Sequence, residues 1–457
     1  MMKKTNEVFS LEEWETCLKV LTILKDNPTE NPNNQKFSGL ISKIYKSNKK
    51  QNRKNSLQDK REHDIDIKKQ TTLSKVALEN QTLYHPIKEL NTINALELKI
   101  PQSCYSCHKQ YRTLHSFYHR LCPSCAEHQH NMRFLNVDLT GRNVILTGGR
   151  IKVGFATALR LLKNGANLCL TTRFPALALQ QFKQEVDYED WANRLFIYGL
   201  DLRSLQDIED FIDFYKKKYV TLDILINNAA QTIQYTDKYY LPIIQLENQS
   251  AQVLLKNHET KWISNKSPII QSDNQINLSK FSYPTALSRF GQPIDNRKKN
   301  SWNSKFEDIE LQELLEVNLI NHIAPYRLIQ GLKSCLLQSK FTEKFIINVT
   351  SSEGIFSYHN KTSSHPHTNM TKAALNMLTR TSAQDFANDQ IYMCAVDVGW
   401  ISTGAIEGLR QKQFNQGIIP PLDPVDGASR ILHPIASGLD KRYFIGSLLK
   451  DYKIHTW

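Results

Sequence analysis

No stretch of the 457-residue chain approaches the ~18–20 apolar residues that a membrane-spanning helix requires. The opening run, MMKKTNEVFSLEEWETC, has no apolar segment of the kind a secretory leader carries. Eight cysteines are too few for a disulfide scaffold at this length. Four of them, Cys17, Cys169, Cys335 and Cys394, are scattered through apolar contexts, as suits a reducing compartment. These absences point to a soluble cytoplasmic protein. No internal repeat is found, so no repeat architecture is expected. Hydrophobic residues make up 40% of the chain, enough for a well-buried core, and charged residues 23%, an ordinary surface. The formal charge of +13 favours phosphate-bearing or anionic partners through long-range attraction; the plainer reading is a solvated Lys/Asn-rich surface.

Three regions differ in texture. Residues 1–100 read as helical and basic. Trp14, Leu18, Leu21 and Leu24 lie close to helical spacing behind Ser10, which can cap, with Glu13 closing a capping box, and Asn27-Pro28 ends that helix. The polar run from Lys46 to Gln70 fits either an exposed helix or a linker. Residues 101–135 hold two cysteine pairs. From Asp138 to residue 457, short β-rich runs alternate with amphipathic helices. The runs begin near Val144, Ala166, Leu195, Asp223, Phe345 and Ile391. Near-continuous apolar strands separated by helices predict a parallel sheet covered on both faces. Residues 232–305, polar but dotted with Tyr235, Tyr239, Tyr240 and Phe281, interrupt the alternation and read as an ordered excursion or a lid.

The first run leads through Thr147-Gly-Gly-Arg-Ile-Lys-Val-Gly154 into a helix. Strand, tight glycine turn and helix N-terminus together present unpaired N–H groups and a favourable dipole to a pyrophosphate. The second run ends in Thr171-Thr-Arg-Phe174 with no acid to accept from a ribose hydroxyl. Arg173, with Arg150 or Lys152, suits a 2′-phosphate and favours NADP over NAD.

At this turn the chain resembles the short-chain dehydrogenase/reductase family, whose pattern is Thr-Gly, three residues, Gly, one residue, Gly. Thr147, Gly148 and Gly154 match; Lys152 replaces the middle glycine. Further matches follow in the family's order. Asp201 stands where the family has its adenine-contacting Asp. Asn227-Asn228-Ala229-Ala230 stands where it has Asn-Asn-Ala-Gly, and Val317-Asn318-Leu319 where it has its helical active-site Asn. Gly399, Ile401 and Thr403 lie in the stretch that touches the nicotinamide amide and diphosphate. The resemblance implies an α/β, Rossmann-type doubly wound parallel sheet; the residues before it read, on their own patterns, as a helical basic segment and a small zinc-binding module. It implies an oxidoreductase acting on an unknown carbonyl/alcohol pair. It also implies homo-oligomers, through helices such as those at 310–335 and 370–387.

In that family a Tyr transfers the proton, a Lys four residues later lowers its pKa and holds the ribose, a Ser positions the substrate oxygen, and the Asn holds a relay water. Ser351 fits the Ser role by its spacing to Gly354, with Ser352 second, and Lys372 fits the Lys. Four residues before Lys372 stands Thr368, whose hydroxyl titrates too high for a neighbouring ammonium to bring near neutrality. Three readings stay open. His365 or His367 takes over proton transfer, Tyr358 swings in, or the site binds the dinucleotide without turnover. The last would make the chain a regulatory or scaffold protein that contacts partners through its zinc module.

Cys104-Tyr-Ser-Cys107 and Cys122-Pro-Ser-Cys125 are separated by fourteen residues. Two such knuckles at this distance can close a tetrahedral thiolate site for structural zinc, with no open position for catalysis. Beyond Tyr111-Arg112 and His119-Arg120 no basic–aromatic stripe stands out, so nucleic-acid binding is not the expected role.

Overall fold

The computed structural model describes residues 9–88, 96–264, 287–358 and 361–457. It divides into two compact units, Met1–Asp64 and Ile65–Trp457. The cysteine pairs and the alternating region share one unit, because their apolar side chains form a common core.

The first unit carries α1 (Leu11–Leu24), capped as expected. Glu13 N donates to Ser10 Oγ at 3.2 Å, and Ser10 N donates to the Glu13 carboxylate at 2.6 Å. The polar run left open between helix and linker is helical, within α2 (Asn34–Lys69). The second unit continues through α3 (Thr72–Leu78), the antiparallel pair β1 (Leu96–Ser103) and β2 (Gln110–Leu114), and α4 (Pro123–Met132).

All six strands read from the sequence are present. β3 (Asn143–Thr147), α5 (Lys152–Lys163), β4 (Asn167–Thr172), α6 (Pro175–Phe182), α7 (Tyr188–Trp191), β5 (Leu195–Gly199), α8 (Leu205–Tyr219) and β6 (Ile224–Asn227) form the first half. Then come α9 (Asp237–Lys256), β7 (Trp262–Ile263), α10 (Leu311–Asn318), a π turn at Leu319–Ile323, and α11 (Ala324–Leu337). The chain closes with β8 (Lys344–Thr350), α12 (Pro366–Asn388), β9 (Ile391–Asp397), α13 (Glu407–Asn415), α14 (Pro424–Leu439), β10 (Leu448–Lys450) and β11 (Lys453–His455).

Nine strands make one sheet in the order β11-β10-β9-β8-β6-β3-β4-β5-β7. It is parallel apart from the β10–β11 hairpin. The period-2 alternation of a strand sends successive side chains to opposite faces. Val144 and Leu146 join the core beneath α5, α6 and α14, whereas Ile145 joins the core beneath α8, α11 and α12. Each fully buried Leu or Ile of this kind contributes about 1.5–3 kcal/mol. The excursion at 232–305 is not purely a lid. It contains α9, and β7 adds an edge strand beside β5. Phe281, singled out within it, lies outside the described residues. Among the described residues no helix is long and apolar enough to cross a membrane, and no cysteine pair forms a disulfide.

From β3 the chain moves outward through β4 and β5, then returns to β6 on the other side of β3. The carboxyl ends of β3 and β6 therefore flank the point where the winding reverses, where open α/β sheets hold their ligands.

Candidate dinucleotide cleft and four-thiolate site

The turn after β3 is held to the turn after β6 by its own side chains. Thr147 Oγ1 accepts the N–H groups of Asn228 and Ala229, both at 3.0 Å. Asn228 Nδ2 donates back to the carbonyls of Thr147 and Gly148 at 2.9 and 3.1 Å. Gly148 has φ +68°, and a Cβ there would sit 2.9 Å from the Ala229 Cα. A Cβ at Gly154 would sit 2.1 Å from the Gly148 carbonyl oxygen. Only glycine fits either place. Lys152, where the family pattern has its middle glycine, adopts φ +52° nonetheless, with its ammonium 5.2 Å from the Phe290 ring. Burial and Arg289 lower its pKa to about 8. Asn227, Asn348 and Thr379 form a buried hydrogen-bond chain from β6 across β8 to α12.

A cleft of about 720 Å³ opens above this turn. Of the residues expected at a dinucleotide site, Gly148, Arg150, Lys152, Gly154, Arg173, Asp201, Asn228, Ala229, Lys372, Gly399, Ile401 and Thr403 line it, together with Ser351 and Thr368. Thr147 lies beneath it as a clamp. At one end two guanidinium groups converge. Arg150 lies 5.4 Å from the Phe174 ring, and Arg173 lies 4.9 Å from the Tyr240 ring. Arg173 Nη1 is buried without a hydrogen-bond partner among the described residues. Burial, and then the charge of Arg173, lowers the pKa of Arg150 to about 10. A buried and a half-buried cation this close mark a place that an anion would stabilise. The Asp201 carboxylate lies at this end too, but Arg203 grips it at 2.7 and 3.1 Å, so it is already engaged by the protein.

At the other end Lys372 Nζ donates to the Val349 carbonyl at 2.8 Å, and burial lowers its pKa to about 8. Thr368 Oγ1 is buried with no hydrogen-bond partner among the described residues. Ser351 begins the 3-10 turn Ser352–Gly354 after β8, and Ser352 lines the cleft beside it. Asp397 ends β9 with its carboxylate accepting from Gly399 N at 2.8 Å. Burial raises its pKa to about 6 against the pull of Lys450.

Two expected residues are not brought to the cleft. The His367 ring is buried against α10, with Nε2 3.3 Å from Glu313 Oε1, because position 367 falls on the side of α12 facing that helix. Asn318 donates back to the Leu314 carbonyl, at 2.6 Å. The π turn carries its helix one residue wide, and Asn321 is the asparagine turned inward. It bonds both the N–H and the carbonyl of Gln231, and its Nδ2 donates to Thr371 Oγ1 at 3.0 Å. His365 caps α12 with its ring stacked on Trp302 at 4.5 Å, while Tyr358 does line the cleft.

Pattern matching could not find Asn321, because the nearby Val317-Asn-Leu string carries the familiar spacing. It also missed Trp302 and Tyr240, which the excursion brings in, and Tyr105, which arrives from the cysteine module.

The four cysteine sulfurs lie within 4.8 Å of one another, with Cys107 Sγ and Cys122 Sγ 3.7 Å apart. That spacing suits thiolates about 2.3 Å from a central ion. Four sulfurs fill a tetrahedral shell, so the donor set fits zinc held structurally. The module is anchored by Arg133, which pairs with Asp423 at 2.8 Å and Asp426 at 3.0 Å, and by Tyr118, which donates to Asp426 at 2.6 Å.

A family model described as short chain dehydrogenase matches residues 142–250, and one described as Enoyl-(Acyl carrier protein) reductase matches residues 297–419. The chain is 32% identical over 372 residues to an uncharacterized protein of Acanthamoeba polyphaga mimivirus, covering 77% of this chain and 74% of that one. The chain belongs to the short-chain dehydrogenase/reductase family. It is also 35% identical over 92 residues to the xanthoxin dehydrogenase of Arabidopsis thaliana, covering 20% of this chain and 32% of that relative. Among solved structures it is similar to the NADPH-bound carbonyl reductase from chicken fatty liver. The identity is 19%, the TM-score 0.45, and the match covers 70% of this chain and 100% of that one. Lys152 stands in the glycine turn of this chain, and Thr368 four residues before Lys372.

Proposed function

We propose that the protein is an NADP(H)-dependent oxidoreductase acting on a carbonyl/alcohol pair. The observation that carries the reading is one cleft with Arg150 and Arg173 at one end and Ser351 and Lys372 at the other. The arginines take the 2′-phosphate, and the amides at the N-terminus of α5 take the diphosphate. When bound, the reduced nicotinamide supplies the hydride. Ser351 then holds the substrate oxygen, and Lys372 stabilises the charge that develops on it. Proton delivery needs a group near neutrality. Lys372, at about 8, is a cleft cation in that range, and Tyr358 is the second candidate. The four cysteines hold structural zinc.

The free thiols support a reducing, cytoplasmic setting. Exposed Tyr326 on α11 and Met370 and Met377 on α12 support pairing of two copies through those helices. One observation, Thr368 in the tyrosine position, favours a second reading, in which the protein binds NADP(H) without turnover. Calorimetric titration with NADPH and NADH, followed by turnover of NADPH on a broad carbonyl panel, decides. Tight NADPH binding with turnover lost in Lys372→Ala supports the enzyme. Binding without turnover supports the second reading, and no dinucleotide binding ends both.

A further inference from the structure

The cysteine module supplies part of the cleft wall. Tyr105 sits between Cys104 and Cys107, on the first knuckle, and its ring lines the cleft. Its hydroxyl accepts from Trp400 N at 2.8 Å and lies 3.4 Å from where a Cβ on Gly399 would stand. A second contact comes from between the knuckles, where the Arg120 guanidinium lies 5.4 Å from the Trp400 ring. Beneath these contacts Cys104, Phe117, Leu121 and Cys122 share one apolar core with Ile401 and Leu422, and Val153 of α5 packs on the same core. Ile401 and Val153 both line the cleft. The knuckle, the loop at 398–404 and the start of α5 are thus one packed body.

We propose that Tyr105 is a positioning residue for the nicotinamide end of the dinucleotide, through which occupation of the four-thiolate site sets cofactor affinity. This rests on the dinucleotide reading above. The physical basis is local. Gly399 has φ +82° and the loop after β9 has no regular structure, so the Trp400 N–H finds its acceptor on the module rather than on the sheet. Cys104 and Cys107 lie on the short β1–β2 connection and Cys122 and Cys125 at the start of α4, and in small modules of this kind metal binding supplies the free energy that orders such separate segments. Loss of the ion therefore releases Tyr105, leaves the Trp400 N–H without its acceptor, and frees the loop.

The test uses the full chain with its zinc content measured, in four titrations: wild type, Tyr105→Phe, Tyr111→Phe as a module control, and wild type stripped of zinc by chelation. Each is titrated with NADPH and with adenosine 2′,5′-bisphosphate, which reaches only the arginine end. Tyr105→Phe should keep its zinc and weaken NADPH by about tenfold, the cost of one orphaned, half-buried N–H. Its affinity for the bisphosphate should not change. Zinc removal should weaken NADPH at least as much, and Tyr111→Phe should leave it as in wild type. Unchanged NADPH affinity in Tyr105→Phe overturns the proposal. So does a matching loss of the bisphosphate or in Tyr111→Phe, and so does purified protein without zinc. If chelated protein precipitates, the Tyr105→Phe arm decides alone. Wild type that binds the bisphosphate but no NADPH would instead remove the dinucleotide reading itself.

Discussion

Arg133 grips Asp423 with two parallel hydrogen bonds, of 2.8 and 2.9 Å, and both side chains are shut away from solvent. Asp423 caps α14, so the residue that opens the last long helix is the one that secures the cysteine module. Removing one partner of a buried pair leaves the other charge uncompensated. Arg133→Met should therefore destabilise the second unit by about 3–5 kcal/mol. Calorimetric melting and faster proteolysis between residues 96 and 135 would register it; a melting curve like that of wild type would contradict it.

Lys152 holds a left-handed backbone that costs a side chain-bearing residue about 1–2 kcal/mol. Lys152→Gly should accordingly be more stable than Lys152→Ala by roughly 1 kcal/mol, although glycine is ordinarily the worse residue in a helix. Both variants lose the ammonium, so paired denaturant titrations isolate the backbone contribution.

Arg173→Ala should weaken NADPH by roughly tenfold or more while barely altering NADH, since one charge-assisted contact to a phosphate is lost. Parallel calorimetric titrations read the ratio. Equal losses for the two dinucleotides would mean the arginine does not read the 2′-phosphate.

Thr368 has a hydroxyl without a hydrogen-bond partner among the described residues, in the cleft that Lys372 also lines. Thr368→Tyr should restore a phenol whose pKa that ammonium lowers, raising carbonyl reduction by about 10²-fold, within the range of general acid catalysis. The gain should vanish in the double variant with Lys372→Ala. A gain that survives there would show that the new phenol acts without the lysine.

Asp397 titrates at about 6 in the folded chain and near the ordinary aspartate value when unfolded. Between those values the folded state binds more protons, so this group's contribution to stability falls as pH rises through that window and stays low above it. Asp397→Asn keeps an acceptor for Gly399 N and should raise the melting temperature at pH 7 by a few degrees, with a smaller gain at pH 4. A gain that is the same at both pH values would contradict this sign.

The sheet was legible in the sequence because buried parallel strands read as apolar runs, and all six named runs are strands. The glycine turn was legible because Gly148 and Gly154 answer a local steric demand. What escaped depended on geometry that sequence spacing does not encode. The inward-facing asparagine is Asn321, within the π turn, rather than Asn318 just before it. Position 367 looked chemically apt but faces α10. β7 is only two residues long, too short for any periodicity to show. Tyr105 meets Trp400, 295 positions away in sequence, by packing of the module rather than by motif.

Tyr239 and Tyr240 flank the arginine end of the cleft, and Trp302 flanks the Thr368 end; all three belong to the excursion between β6 and α10. On the proposed reading, a single run of chain thus borders both the end that would take the 2′-phosphate and the end that holds Ser351 and Lys372. On that reading, trimming or remodelling this run would alter cofactor choice and substrate choice in the same stroke, so the two preferences would drift together among relatives.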